Sequence, residues 1–216
     1  MATTAAQVAA LRAQTGAGML DAKKALDEAN GDVTRATEIL REKGILKAAK
    51  RADKVTAEGV VVSYIHGGGR IGVLLEMNCE TDFVAKTDQF KALATDIAMH
   101  VAALAPQYLS RDEVDATVLE KEKNFHREQL KAEGKPEAMI EKILEGKMGR
   151  FYSEICLLDQ PFLKDEEKTV QQLLTTKTVE IGEKISVRRF TRFMVGEGIE
   201  KKKVDYAAEV AAQMGA

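Results

Sequence analysis

Apolar positions change their spacing several times along this chain, and each change marks a different element. Between residues 5 and 44 they recur at helical intervals in three short bursts. Val8 and Leu11 share one face before "TGAG" breaks it, and Met19, Ala22, Leu26 and Ala29 follow until Asn30-Gly31 stops them. Asp32 fits an N-cap, with Val33, Ala36, Ile39 and Leu40 as the next stripe and Gly44 as its end. Three helices this short bury little surface, so the segment reads as a miniature bundle tethered to something larger. The tether is "ILKAAKRADKVTAEG", residues 45–59, an Ala- and Lys-rich stretch with no stop signal that reads as a helical or flexible arm.

From Val60 the pattern turns to β. "VVVSYIH" and "IGVLLEMNC" are rich in β-branched residues, and "GGGR" between them reads as a hairpin turn. Helical spacing returns after Phe83: Thr87 or Asp88 caps a helix carrying Phe90, Leu93, Ile97, Val101 and Leu104, which Pro106 terminates. Ser110 with Glu113 has the spacing of a capping box, and Val114, Val118, Phe125 and Ala132 then recur near heptad intervals through a charged stretch. "EGKP" turns the chain, and Ile140, Leu144, Met148 and Phe151 stripe the return helix. Residues 110–151 thus read as an antiparallel helical hairpin, either projecting as an arm or packed on the body. In the last third, "EICLLDQPF" reads as a strand, Thr169 with Gln172 as a capping box opening a helix, "KISVRRFTRFMV" as another strand, and "DYAAEVAAQ" as a closing helix. Strands and helices fall in separate runs, so the fold class is α+β. The expected division is a three-helix domain at 1–44, a linker at 45–59 and a core at 60–216 that includes the hairpin 110–151 and a C-terminal helix module at 204–216.

Composition narrows the function. With 45% hydrophobic residues over 216 positions, the chain is long and apolar enough for a real core. A net charge of -2 provides no global pull toward nucleic acid or anionic membrane, which favours protein or small-molecule partners. Cys79 and Cys156 match no metal-ligand spacing and read as reduced buried thiols of a cytoplasmic protein. The N-terminus has no leader-like basic and apolar regions, and no stretch approaches a membrane span.

Candidate chemistry is sparse. Gly67, Gly69 and Gly72 satisfy the spacing of a dinucleotide-binding glycine motif, but that motif needs a helix opening on its last glycine, and here a strand follows. Of His66, His100 and His126, His100 falls in an apolar helix and reads as a core imidazole rather than a base. No nucleophile has an orienting base nearby in sequence, so the chain reads as a non-enzyme with no metal or cofactor. One stretch stands out. "NCETDFVAK" sets Phe83 beside Asp82, among polar neighbours, where a buried strand ends.

"TGAGMLDAKKALDEANGDVTRATEILREKG", "NCETDFVAK", "QPFLKD" and "VGEGIEKKKVDYAAEVAAQ", in that order, resemble the signature stretches of the bacterial elongation factor Ts family. The resemblance covers nearly the whole chain. It implies a guanine-nucleotide exchange factor for the GTPase elongation factor Tu, with an N-terminal domain similar to ubiquitin-associated three-helix modules. It further implies that Thr81, Asp82, Phe83 and Val84 insert near the magnesium site of the GTPase, Phe83 acting as an apolar wedge and Asp82 as a polar contact. Docking on the partner's nucleotide domain is implied for Lys23 and its surroundings, including Arg12, Met19 and Leu20, although Met19 by itself is equally explained as core. Leu163 and Lys164 match a further contact region, in which the family often carries an apolar residue where this chain has Lys164. His66 matches a histidine of a "YxHG" turn, and is expected on the same side of the hairpin as Thr81–Val84. Longer members have two related core subdomains. This chain has room for one, and the short forms it resembles are homodimers that bind two GTPases. Two rival classes are an adaptor that only recruits partners and a protein that binds nucleotide directly through its Gly-rich turn.

Overall fold

A computed structural model of the chain describes residues 3–15, 17–51 and 53–199. It has α+β architecture, with N-terminal helices followed by a strand-containing core. The expected closing helix at 204–216 lies outside the described residues.

The N-terminal helices are α1 (Ala5–Thr15), α2 (Met19–Glu28) and α3 (Val33–Lys50). Their interior is Val8, Leu11, Ala22, Ala25, Leu26, Ala29, Ala36 and Ile39, with Leu40 packed against it. Two signals act as the sequence requires. Asn30 and Gly31 take positive φ after α2, and the Asp32 carboxylate accepts from the Arg35 N–H at 3.1 Å at the start of α3. The stop at Gly44 does not occur. Helix α3 runs through it to Lys50, with Gly44 buried against the helix containing Val179, and this packing outweighs the roughly 1 kcal/mol by which glycine disfavours a helix. Part of the stretch read as an arm is therefore the continuation of α3, and Arg51 just beyond it pairs with Glu80 in the core at 2.7 Å.

Strands β1 (Glu58–His66), β2 (Ile71–Cys79) and β5 (Ser186–Met194) form an antiparallel sheet in the order β1-β2-β5. The glycine turn closes the β1–β2 hairpin, with the Arg70 N–H donating to the His66 carbonyl at 3.1 Å. Along β2, the side chains of Val73, Leu75, Met77 and Cys79 point to one face, as strand alternation demands, and all are buried. Against them lies α5 (Asp88–Leu104), with Phe90, Leu93, Ala94, Ile97, Ala98 and Val101 buried along one stripe. Burying each of the large side chains contributes roughly 1.5–3 kcal/mol, which makes this layer the main source of cohesion. The short α4 (Asp82–Ala85) connects β2 to α5.

The hairpin is α6 (Ala116–Ala132) and α7 (Glu137–Ile155). They meet along Leu130, Ile140, Leu144 and Met148, and Phe125, expected in the seam, is exposed. At the base, Val114, Ile155 and Cys156 join the pair to the body, and the Arg111 guanidinium lies 4.7 Å over the Tyr152 ring. Ser110 makes no side-chain cap. Glu113 instead accepts from the Leu109 N–H at 3.0 Å, and α6 starts only after a 3-10 turn. The expected strand "EICLLDQPF" is largely something else. Ile155 ends α7, Cys156 makes a single parallel bridge to Tyr108, Leu157–Asp159 is another 3-10 turn, and Pro161–Phe162 pairs, as β3, with β4 (Asp165–Thr169). Ile155, Cys156 and Leu157 are buried consecutively, so an apolar run at a bend imitates a strand. The Thr169–Gln172 capping box is complete and opens α8 (Val170–Ile181), which packs beside α3.

Two glycines predict opposite outcomes. A Cβ on Gly59 would lie 2.2 Å from the Met77 carbonyl oxygen, which belongs to the ladder and cannot step aside. Gly59→Ala should therefore cost at least about 2 kcal/mol. A Cβ on Gly44 meets Val179 Cγ2 at 3.4 Å, an ordinary contact, so Gly44→Ala should be neutral or stabilising by up to about 1 kcal/mol through helix propensity. Urea midpoints of the two variants against wild type measure both.

Candidate functional site

The candidate site begins where β2 leaves the sheet. Cys79 is the last buried side chain of the strand, and its thiol donates to the Thr81 carbonyl at 3.1 Å. Burial raises the Cys79 pKa, so the group stays a thiol and keeps this hydrogen bond. Thr81 has extended backbone geometry and is the N-cap of α4, its hydroxyl accepting from the Val84 N–H at 3.5 Å. Thr87 ends the turn, donating from Oγ1 to the Val84 carbonyl at 2.8 Å while accepting from the Phe90 N–H at 3.3 Å as the cap of α5. A one-turn helix is unstable alone. Here it is held between two threonine caps.

Those caps decide where the four side chains go. Ala85 is buried and Val84 packs against the core, which forces Phe83 outward, leaving it 80% exposed. An ordinary core role for Phe83 is thereby excluded. Asp82 sits beside the ring and pairs with Lys86 at 2.6 Å. The hydrogen bond from Lys86 holds the Asp82 pKa below the usual carboxylate value, so the carboxylate is charged at neutral pH.

On the core side the turn is tied to residues distant in sequence. The Glu183 carboxylate accepts from the Thr81 N–H at 3.0 Å and from the Thr81 hydroxyl at 2.7 Å. Reciprocally, Glu80 Oε1 accepts from the Lys184 N–H and from Arg51, both at 2.7 Å. The Lys184 backbone bond, assisted by Arg51, lowers the Glu80 pKa. Sequence reasoning misses Glu183, Glu80 and Arg51. No local pattern marks a carboxylate whose partner lies about a hundred residues away.

The other predicted residues fall in separate places. Met19, Leu20 and Lys23 are exposed on the first turns of α2, Met19 at 51% and Leu20 at 70%, so Met19 is a surface residue. Arg12 is exposed on α1. Leu163 and Lys164 form the turn between β3 and β4, and Lys164 pairs with Asp96 of α5 at 2.6 Å. Behind Leu163 is His100, buried, stacked on Phe162 and donating through Nε2 to the Gln160 side-chain oxygen at 2.9 Å. Its Nδ1 accepts from the Leu163 N–H at 3.1 Å, which fixes the tautomer. His66 does not lie near Thr81–Val84. The ladder pairs His66 with Ile71 and Glu58 with Cys79, so His66 is at the opposite end of the hairpin, about 27 Å away at ~3.4 Å per residue. Its Nδ1 lies 3.0 Å from the Tyr64 hydroxyl.

Among the described residues, no group of three or more His, Cys, Asp or Glu side chains is arranged to hold a metal, and no helix is long and apolar enough to cross a membrane. Gly67 and Gly69 lie in the turn between β1 and β2 and Gly72 lies inside β2, so a strand and not a helix follows them. What the site offers is an aromatic ring and a carboxylate on a braced turn, with a second exposed apolar pair on α2.

The family model described as elongation factor TS matches residues 1–197. The elongation factor Ts of Desulforamulus reducens is 58% identical over 213 residues, covering 99% of this chain and 98% of the relative, and that of Geobacter sulfurreducens is 57% identical over 215 residues, covering both chains fully. The chain belongs to the elongation factor Ts family.

The buried imidazole makes stability pH-dependent. Burial lowers the His100 pKa from its ordinary 6.5, so the unfolded chain takes up a proton in a range where the folded one resists it. Stability from this source is present above 6.5 and declines as pH falls below it, until the folded imidazole is itself protonated. Denaturation midpoints measured from about pH 7.5 down to about pH 5 should fall for wild type and change less for His100→Gln.

Proposed function

We propose that this chain is a guanine-nucleotide exchange factor for the translational GTPase elongation factor Tu, acting in the cytoplasm by binding the GDP form and promoting GDP release so that GTP can enter. It catalyses no bond change, binds no nucleotide itself, and uses neither nucleic acid nor membrane as a direct partner. The observation that carries this reading is the exposure of Phe83 on a turn anchored through Thr81, Val84 and Ala85. An aromatic ring left in water forgoes roughly 1.5–3 kcal/mol of burial, a gain available to a partner able to enclose it. Inserted near the magnesium site of the GTPase, the ring forces apart the elements that hold the ion, and Asp82 fixes its approach. Displacing magnesium removes the charge that neutralises the diphosphate, and GDP affinity falls.

The rest of the chain supports a division of labour. Residues 1–44 act as a docking module similar to ubiquitin-associated domains, with Arg12, Met19, Leu20 and Lys23 as its contact face. Leu163 and Lys164 add contacts on the same GTPase domain, although Lys164 must leave Asp96 to do so. His66, at the far end of the hairpin, contacts a different part of the partner. We also propose that two copies of the chain pair and bind two GTPases. The sheet face away from α5 supports this, since Val61, Ile65, Leu74 and Phe193 are exposed there and strands β1 and β5 are both edges.

Release of labelled GDP from the GTPase, followed at increasing factor concentration, tests the proposal. Phe83→Ala should lower the plateau rate about tenfold or more, corresponding to ~1.4 kcal/mol in the transition state. A plateau equal to wild type would remove the wedge. Leu20→Ala should instead raise the half-saturating concentration several-fold and leave the plateau, because docking and displacement use different surfaces. Chelating magnesium should speed spontaneous release and shrink both the added stimulation and the Phe83→Ala defect. A defect of equal size without magnesium would place the ring's action elsewhere.

A further inference from the structure

We propose that Glu183 is the positioning residue of the exchange site, its carboxylate clamping Thr81 so that Phe83 is presented in one orientation before the partner arrives. The proposal rests on the exchange reading above and goes beyond it by assigning a residue from the loop between α8 and β5.

The geometry is reciprocal. At the end of β2, Glu80 accepts the backbone N–H of Lys184, and next to it Glu183 accepts the backbone N–H of Thr81. Two adjacent residues on each segment thus exchange carboxylate-to-backbone bonds, a closed arrangement that neither loop can leave alone. Glu183 spans both donors of Thr81, with Oε2 on the N–H and Oε1 on the hydroxyl. The hydroxyl hydrogen is engaged in that bond, which directs an oxygen lone pair toward the Val84 N–H. Glu183 therefore acts on the helix cap as well as on the strand end. Bonds to a charged acceptor are stronger than neutral ones. Through Glu80, the same junction reaches Arg51, just beyond the end of α3, so the docking module and the wedge turn share one anchor. Without Glu183 the α4 turn keeps its threonine caps, the Cys79 bond to the Thr81 carbonyl and the packing of Val84 and Ala85, but Thr81 loses the carboxylate that fixes its N–H and hydroxyl, and the ring samples orientations that cannot enter the partner.

Three variants separate geometry from charge. Glu183→Gln loses the charge but keeps an acceptor for the Thr81 N–H and an amide donor for the hydroxyl oxygen. Glu183→Asp keeps the charge but withdraws the carboxylate by about 1.5 Å. Glu183→Ala removes both. In GDP release, Ala and Asp should lower the plateau about fivefold or more with half-saturation within about twofold, while Gln, which keeps the reach and the acceptor for the Thr81 N–H but loses the charge and reverses the hydroxyl bond, should fall between them and wild type. Combined with Phe83→Ala, Glu183→Ala should add no further loss, because a clamp matters only when there is a ring to aim. Amide hydrogen exchange at Thr81 and Val84 should quicken in Ala and Asp, measured in the full-length free protein. The assignment is overturned by a wild-type plateau in the Asp variant, by Gln behaving like Ala, by equal losses with and without the ring, or by unchanged amide protection. If Phe83→Ala alone leaves release unaltered, the wedge reading fails while amide exchange still decides whether Glu183 holds the turn. Should Glu183→Ala fail to fold, the Asp and Gln variants together still distinguish a clamp from a bystander.

Discussion

The one-sided burial of β2 is the constraint from which the site follows. It is the middle strand of the sheet, and its odd-numbered side chains from Val73 to Cys79 are sealed against α5. A shift of one residue would send all of them to the open face, so the register admits no slippage. With Cys79 pinned in the core and Phe90 pinned at the start of α5, the residues between them have to reverse direction over the edge of the packed layer. A short capped helix accomplishes this. Its helical period cannot bury Val84, Ala85 and Phe83 together, and the residue excluded is the large ring.

Much of this is legible in the sequence because the relevant signals are local. β-Branched composition marks β2, alternation marks β5, the Thr169–Gln172 spacing marks α8, and Asn30-Gly31 marks the end of α2. Sequence and structure part where a distant surface overrides a local rule. Gly44 has the chemistry of a helix stop, but it lies buried against Val179 of α8, and packing carries α3 through it. Ser110 and Glu113 have capping-box spacing, but Glu113 reaches the preceding backbone and the helix starts later. The run from Ile155 to Leu157 is buried from several sides at a bend, so its apolarity carries no period to read.

The candidate site divides along the same line. Phe83 is conspicuous because an aromatic among charged residues breaks the expected pattern, and its exposure follows from Val84 and Ala85 being core. Glu183 is invisible, since a glutamate in a polar loop is ordinary until the fold places Thr81 beneath it. His66 is misplaced for a related reason: a hairpin brings its two ends as far apart as its strands are long, and only the register tells which residues share an end.

On the proposed exchange reading, the free-energy balance explains why the ring needs bracing at all. An exchange factor must bind its partner tightly enough to displace an ion but must itself be displaced when nucleotide returns, and linkage makes these two effects equal in size. A ring on a loose turn would bury the same area yet lose part of the gain to being ordered, weakening the displacement without changing the contact. A ring ordered in advance by the core delivers its burial at the moment of insertion. On that reading, the ordering cost is met during folding, from the β2–α5 layer, the threonine caps and the carboxylate clamp. The stability of the core and the action of the exposed turn are then one structural fact seen from its two sides.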